Sequence, residues 1–329
     1  MSARERRHVV EPQRVGTLWR NLRERAGSWR TGLGSKSGIL CAMSSMTSSM
    51  KSILVTGGNA GIGLALCRQL AVDHGCHVFM GARNADRGAL GVRQIVGAHP
   101  EVAGRVECIA LDVADDASVA AAAGALRAKG VSLYALVNNA GVGLQTDPGG
   151  GVEALLNTNF FGPKRVSEAF VDLLDPAAGR IVNVSSGAAS MWLRGGSAEQ
   201  KALFTSDATS WEQLRAAVEE AAPSASMGGY GLSKAGLTAY TIMQAKAWPH
   251  LTCTSLSPGF IQTNMTDGFG ARLTPEQGTV SLIRCLFGEV VSGYYYGSDG
   301  LRSPLTVTRD PGTPEYEGEE NPDASKYNK

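Results

Sequence analysis

The chain has 329 residues, 43% of them hydrophobic, with 31 basic against 30 acidic side chains. A net charge of +1 gives no whole-chain field to gather nucleic acid or anionic lipid, and no apolar run approaches the roughly 18 residues of a membrane-spanning helix. Six scattered cysteines without a CxxC pair and five histidines without ligand spacing argue against a disulfide framework or a metal site, and for a reduced compartment.

Residues 1–50 carry eight arginines against three acids and end in a Ser/Met-rich stretch. That composition suits an organelle transit peptide, a disordered extension, or an over-called start with initiation at Met43, Met46 or Met50. The expected location is the cytoplasm, or a plastid or mitochondrion if the leader is a transit peptide. From residue 51 the pattern changes. Strands are predicted at Ser52–Thr56, His77–Ala82, Val106–Leu111, Leu133–Asn138, Arg180–Ser185, Thr252–Ser257 and Gly293–Ser298, most of them unbroken apolar runs suited to burial on both faces. Helical periodicity lies between them: Ile62, Ala65, Leu66 and Leu70, then Ala117–Ala128, Tyr230–Ala247 and Pro275–Val290. Strand, helix, strand in repetition predicts an α/β fold, a doubly wound parallel sheet of about seven strands with helices on both faces.

Two stretches break the rhythm. The 43 residues 187–229 are too long for a structureless loop and include a predicted helix over Trp211–Ala222, so they read as a small helical insertion. Residues 302–329 are rich in Pro, Glu and Asn, a composition that does not form a packed core, and read as a tail. The expected organisation is a basic extension over 1–50, one nucleotide-binding domain over 51–301, and the tail.

The first strand runs out into Thr56-Gly57-Gly58-Asn59-Ala60-Gly61-Ile62-Gly63 and directly into a helix. Glycines there let backbone approach a pyrophosphate, while the helix N-terminus offers unpaired N–H groups and partial positive charge. At the end of the second strand, where an NAD site places an acid on the ribose, the chain reads Gly81-Ala82-Arg83-Asn84. A guanidinium at Arg83 pairs with a 2′-phosphate, so NADP is expected over NAD unless Arg83 is an ordinary surface arginine.

Tyr230-Gly231-Leu232-Ser233-Lys234 puts a phenol and an ammonium four residues apart on one helical face. A cation about 4 Å away is worth about 4 kcal/mol at an effective dielectric of 20, or about 3 pKa units, enough to tune a tyrosine of pKa about 10 as a proton donor. The spacing alone is unspecific, since surface Tyr–Lys pairs share it. Its context is a strand, Arg180–Val184, that ends in Ser185-Ser186, and another that ends in Asn138-Asn139-Ala140-Gly141, both at the sheet edge where ligands bind.

In these motifs the chain resembles the short-chain dehydrogenase/reductase family, over residues 51 to about 300 and in the family's order. TGGNAGIG matches its TGxxxGxG turn, Leu111-Asp112-Val113 its adenine-contacting strand end, NNAG its fourth-strand motif, YGLSK its YxxxK, and SPGFIQT at 257–263 its PGxxxT cofactor loop. The resemblance implies a Rossmann-type fold, NADP(H) as cofactor and no metal. It makes Tyr230 the acid/base, Lys234 its tuning cation and ribose ligand, Ser186 rather than Ser185 the carbonyl-orienting serine, and Asn159 the holder of a proton-relay water. It assigns cofactor contacts to Thr56, Gly57, Asn59, Gly61, Ile62, Gly63, Asp112, Val113, Asn139, Ala140, Gly141, Tyr230, Lys234, Pro258, Gly259 and Thr263, beside Arg83. Ala60 stands where many NADP-preferring members carry a second basic residue, which leaves that preference to Arg83.

The insertion before Tyr230 is similar to that of the NADPH-dependent carbonyl reductases, which are often monomeric; other members pack the helix of the YxxxK lysine against a second subunit. The implied activity is hydride transfer between NADP(H) and a carbonyl or alcohol carbon, in the direction of reduction of a medium-sized apolar ketone, aldehyde or quinone. The rival is a silent NADP(H)-binding sensor of the same fold. A serine hydrolase is disfavoured because Gly231-Leu232-Ser233-Lys234-Ala235 lacks the last glycine of GxSxG and follows no strand. Met191, Trp192, Leu193 and Met227, with Phe260, Ile261, Met265 and Phe269, form either a substrate wall and lid or the core of their own segments.

Overall fold

The computed structural model describes residues 50–143 and 150–329; the basic leader, with Met43 and Met46, lies outside the described residues. Seven parallel strands form one sheet in the order β3-β2-β1-β4-β5-β6-β7. They are β1 Ser52–Thr56, β2 His77–Ala82, β3 Val106–Ala110, β4 Ala135–Asn138, β5 Arg180–Val184, β6 Thr252–Leu256 and β7 Tyr295–Tyr296. The order reverses between β1 and β4, and such a reversal opens a crevice at the carboxyl ends of those strands.

Side chains alternate faces along each strand, and both faces are dry. Ile53, Val55 and Val78 pack with Leu66 and Leu70 of α1 (Gly61–Val72), Ile95 of α2 (Ala85–Ala98) and, further along the chain, Leu282 and Leu286. On the other face Leu54, Leu136 and Ile181 meet Val119 and Leu126 of α3 (Asp116–Ala128). The next helical segment, α4 (Gly151–Leu156), passes through one π turn, Asn157–Phe161, into α5 (Gly162–Phe170), whose Val166 and Phe170 join that second cluster.

The insertion is helical, as its length required. It holds α6 (Gly187–Arg194), α7 (Ala198–Thr205) and α8 (Trp211–Ala221). Both α7 and α8 open on capping boxes, Ser197 with Gln200 and Ser210 with Gln213, a Ser-x-x-Gln signature that is legible in the sequence. Phe204, Leu214 and Val218 bury against Leu237 and Tyr240 of α9 (Tyr230–Ala247), so the insertion roofs that helix.

Three predicted elements shrink by two residues or more. β7 covers only Tyr295–Tyr296, because Gly293 has φ +86° and Gly297 turns the chain back through its N–H to Leu301. Leu133 makes an isolated bridge to Leu174 ahead of β4. The helix predicted from Pro275 begins after a 3₁₀ turn, as α10 (Val280–Phe287).

The C-terminal segment departs furthest from its composition. Ser303 donates its N–H to Tyr295 O at 2.8 Å, which lays the segment along β7. Arg309, its side chain 1% exposed, pairs bidentately with Asp299 at 2.8 and 2.8 Å and also donates to Thr313 O and Pro314 O. Tyr327, in the short α11 (Ala324–Tyr327), is fully buried with its hydroxyl on Glu319. Polar anchors therefore order a segment that lacks the apolar mass to order itself. Burial works to raise the pKa of Asp299, yet the bonds from Arg309 and from the Gly312 and Leu301 amides hold its carboxyl below the ordinary range. Asp299→Ala leaves a buried guanidinium without a counter-charge and is expected to cost about 3 kcal/mol in urea unfolding. Arg309→Met leaves a partly hydrated carboxylate instead and is expected to cost less.

Among the described residues no helix is long and apolar enough to cross a membrane, and no group of three His, Cys, Asp or Glu side chains is placed to hold a metal. The cysteines Cys67, Cys76, Cys108, Cys253 and Cys285 are free thiols.

Candidate active site

At the crevice the turn 56–63 is built from close backbone approach. Gly57 has φ +61°, and a Cβ there would lie 2.9 Å from Ala140 Cα. A Cβ on Gly63 would overlap Gly57 O and stand 2.5 Å from Asn139 Nδ2, so no larger residue fits either place. Thr56 Oγ1 accepts the N–H groups of Asn139 and Ala140 at 3.0 and 2.9 Å, and Asn139 Nδ2 donates to Thr56 O at 2.8 Å. These polar groups tie β1 to β4 and are spent on the turn itself.

Helix α1 has Ala60 at its N-cap, with no side-chain cap. Its first amides therefore face the crevice without the hydroxyl or carboxylate that usually covers them, the state in which a helix end receives a phosphate. Thr263 lies over this end, 3.1 Å from the position of a Gly61 Cβ, which brings the 257–263 loop onto the turn. Asn59 backs onto Gly91 of α2, and Ile62 lies beside Gly278 and near Ile261. Arg83 projects into solvent past the end of β2. A glycine cradle, an uncapped helix end and an exposed guanidinium together fit a phosphorylated dinucleotide. Asp112 accepts the Ala114 N–H at 3.0 Å, and Val113 is buried against Gly162, so Val113 offers the crevice backbone rather than side chain.

The groups with chemistry converge next to the turn. Ser185 is consumed by packing: its hydroxyl donates to Lys234 O at 3.0 Å and pairs with Thr238 at 2.7 Å. Ser186, the N-cap of α6, is the serine whose hydroxyl faces the Tyr230 phenol. Tyr230 opens α9 after three residues in the left-handed region, Met227 at φ +51°, Gly228 at +58° and Gly229 at +82°. Gly229 is required, since a Cβ would stand 2.5 Å from Val152 Cγ2. Met227 carries its strain without that excuse and keeps an exposed side chain, a combination found at functional sites.

Lys234 is 4% exposed, and its ammonium donates to Val184 O at 2.8 Å. Burial lowers its pKa to about 8. Burial raises the Tyr230 phenol, and the Ser186 hydrogen bond lowers it only in part. This differs from the helical-spacing argument, in which the lysine alone pulls the tyrosine down. The ammonium sits 5.8 Å from the centre of the phenol ring and faces Val184, and both groups are desolvated. Asn159 lies in the π turn, with Oδ1 accepting the Val142 N–H at 2.9 Å and Nδ2 donating to Val142 O at 2.7 Å. Its side chain thus pins the loop after β4. Gly141 of that loop sits 3.3 Å from Asn159 Oδ1 and 3.5 Å from Lys234 Nζ, measured from where its Cβ would be.

The short chain dehydrogenase family profile matches residues 51–198. The chain is 33% identical over 267 residues to (+)-neomenthol dehydrogenase of Arabidopsis thaliana, covering 70% of this chain and 89% of that protein. The chain belongs to the short-chain dehydrogenase/reductase family. It is 31% identical over 255 residues to carbonyl reductase [NADPH] 1 of Homo sapiens, covering 71% of this chain and 89% of that protein. The solved structure of salutaridine reductase from Papaver somniferum superposes with a TM-score of 0.65 at 27% identity, over 75% of this chain and 99% of that one. Menthone neomenthol reductase from Mentha piperita gives 0.63 at 26%, over 77% and 100%.

In this short-chain dehydrogenase/reductase the eight apolar residues that the sequence offers as a wall and lid or as core divide. Leu193 and Ile261 are core, Trp192 and Met265 are half-buried, and Met191, Met227, Phe260 and Phe269 are exposed. Sequence reading passed over Gly143. A Cβ there would overlap Tyr230 Cδ2 and lie 2.8 Å from Cε2, so bare backbone lies against the phenol ring. Gly143→Ala is expected to displace the ring and cut turnover about tenfold or more, with the melting temperature kept. Gly124→Ala, at an open helical surface position, is the control and leaves turnover unchanged.

Proposed function

We propose that the protein is an NADPH-dependent reductase of apolar ketones, aldehydes or quinones. The observation that carries this reading is the meeting of the Ser186 hydroxyl with the Tyr230 phenol beside the buried ammonium of Lys234. The names of the similar proteins, a carbonyl reductase [NADPH] and a neomenthol dehydrogenase, support it.

The uncapped α1 end and the Thr263 loop would hold the pyrophosphate, Arg83 the 2′-phosphate, and Lys234 the nicotinamide ribose. NADPH, when bound, supplies hydride to the carbonyl carbon. Ser186 and Tyr230 orient the carbonyl oxygen by hydrogen bonds, and Tyr230 donates its phenolic proton to that oxygen. A phenol pushed up by burial is protonated at neutral pH, as a proton donor must be. The Lys234 charge offsets the phenolate left behind. Asn159 holds the 141–143 loop against both groups. Met191, Met227, Phe260 and Phe269 offer apolar surface at the mouth and select against charged or strongly hydrated substrates. The insertion buries the face of α9 that other family members give to a neighbouring subunit, which supports a monomer.

Four measurements test this reading. NADPH oxidation by the full chain across a panel of cyclic ketones, aldehydes and quinones is expected to exceed NADH oxidation, and Tyr230→Phe is expected to bind NADPH yet lose most turnover. Full activity in that variant overturns the assignment. Arg83→Ala is expected to raise the NADPH KM about tenfold while leaving NADH little changed. Because kcat/KM reports the free enzyme, it is expected to fall as pH rises through about 8 and Lys234 loses its proton.

A further inference from the structure

Helix α6 starts at Gly187, immediately after the serine that faces Tyr230. The first amides of a helix need acceptors, and an N-cap hydroxyl normally supplies one. Ser186 therefore faces two demands: closing its own helix and meeting the phenol. It caps only weakly, accepting the Ala188 N–H at 3.2 Å. The Gly187 N–H goes elsewhere, to the hydroxyl oxygen of Ser257 at 3.1 Å, seventy residues along the chain.

Ser257 is the first residue after β6. Its hydroxyl oxygen also accepts the Gly259 N–H at 3.3 Å. Gly259 has φ +94°, and a Cβ there would stand 3.1 Å from Leu273 and 3.2 Å from Ser298, so the direction of its amide is set by a conformation that only glycine fits. The backbone of Ser257 is held on both sides, its N–H on Tyr296 O at 2.9 Å and its carbonyl by the Ser281 hydroxyl at 3.2 Å. The buried Tyr295 phenol faces the same hydroxyl and that of Ser190. One anchored oxygen thus joins the end of β5, which carries Ser186, to the loop after β6, which carries Thr263.

We propose that Ser257 is a positioning residue that caps α6 in trans, sparing the Ser186 hydroxyl for the carbonyl oxygen and holding the Ser186 loop in register with the Pro258–Thr263 loop. It touches neither the Tyr230 phenol nor substrate and acts through Gly187 and Gly259. This rests on the reductase reading above, and the experiment separates the two failures.

Ser257→Thr keeps the acceptor and Ser257→Val keeps the threonine shape without it. Both are compared with the wild-type full chain for melting temperature, NADPH KM, carbonyl KM and kcat. With Thr, kcat is expected to recover most of the wild-type value. With Val, kcat is expected to fall about tenfold and the NADPH KM to rise several-fold, because Gly187 and Gly259 lose a shared acceptor. Should Val fail to fold, Ser257→Ala takes its place and the same split is expected. Equal activity of the Thr and acceptor-free variants, whether high or low, overturns the proposal. An inactive wild-type chain would instead overturn the reductase reading.

Discussion

Helix α9 must lie on β5 in one register, because it delivers Tyr230 and Lys234 to a strand edge that already carries Ser186. The register is specified by polar groups that have been taken out of water. Lys234 Nζ bonds to Val184 O at 2.8 Å, Ser185 bonds to Thr238 and Lys234 O, and Asn183 Nδ2 donates to Thr241 at 2.8 Å and Gln244 at 2.6 Å. Lys234, Thr238, Thr241 and Gln244 recur along one face of α9, opposite Asn183 of β5 and Ser185 just past its end. Sliding the helix would strand several buried donors and acceptors at once, each costing about 1–3 kcal/mol. An apolar seam would tolerate such a slide far better.

Around that seam the site is made largely of main chain. Gly143 lies against the Tyr230 ring, Gly141 lies near Lys234 and Asn159, and Gly63 packs onto Gly57 and Asn139. The π turn at Asn157–Phe161 lets Asn159 reach Val142 with both ends of its amide. Close backbone excludes water, and exclusion of water moves the two titratable groups in opposite directions: burial raises the phenol and lowers the ammonium to about 8. The same packing that positions the pair also tunes it.

Two additions to the sheet cover surfaces that would otherwise be open. The insertion places Phe204, Leu214 and Val218 on α9, and the C-terminal segment runs along the short β7 and is pinned by Arg309 on Asp299. The insertion also ends in the strained turn at Met227, directly before Tyr230. One segment therefore roofs the helix, leaves the Met227 side chain exposed and sets where α9 begins.

The sheet was legible in the residues. β1, β2 and the helix Tyr230–Ala247 match their predicted bounds, because an unbroken apolar run and a period of 3.6 are local properties of the chain. Where the turn, the serines and the tyrosine lie along the chain was legible too, since each sits at a strand end or a helix start. Which serine is spent on packing could be taken only from resemblance, and Ser257 and Gly143 carried no local signal. The order of the C-terminal segment ran against its composition, because a buried ion pair needs two partners but no apolar run. The sequence by itself determined the elements, their parallel stacking and the strand ends that carry the glycine turn and the serines. Only the tertiary structure decided which hydroxyl is free, which amide caps which helix and how far burial shifts the phenol and the ammonium, because those depend on contacts between segments tens of residues apart.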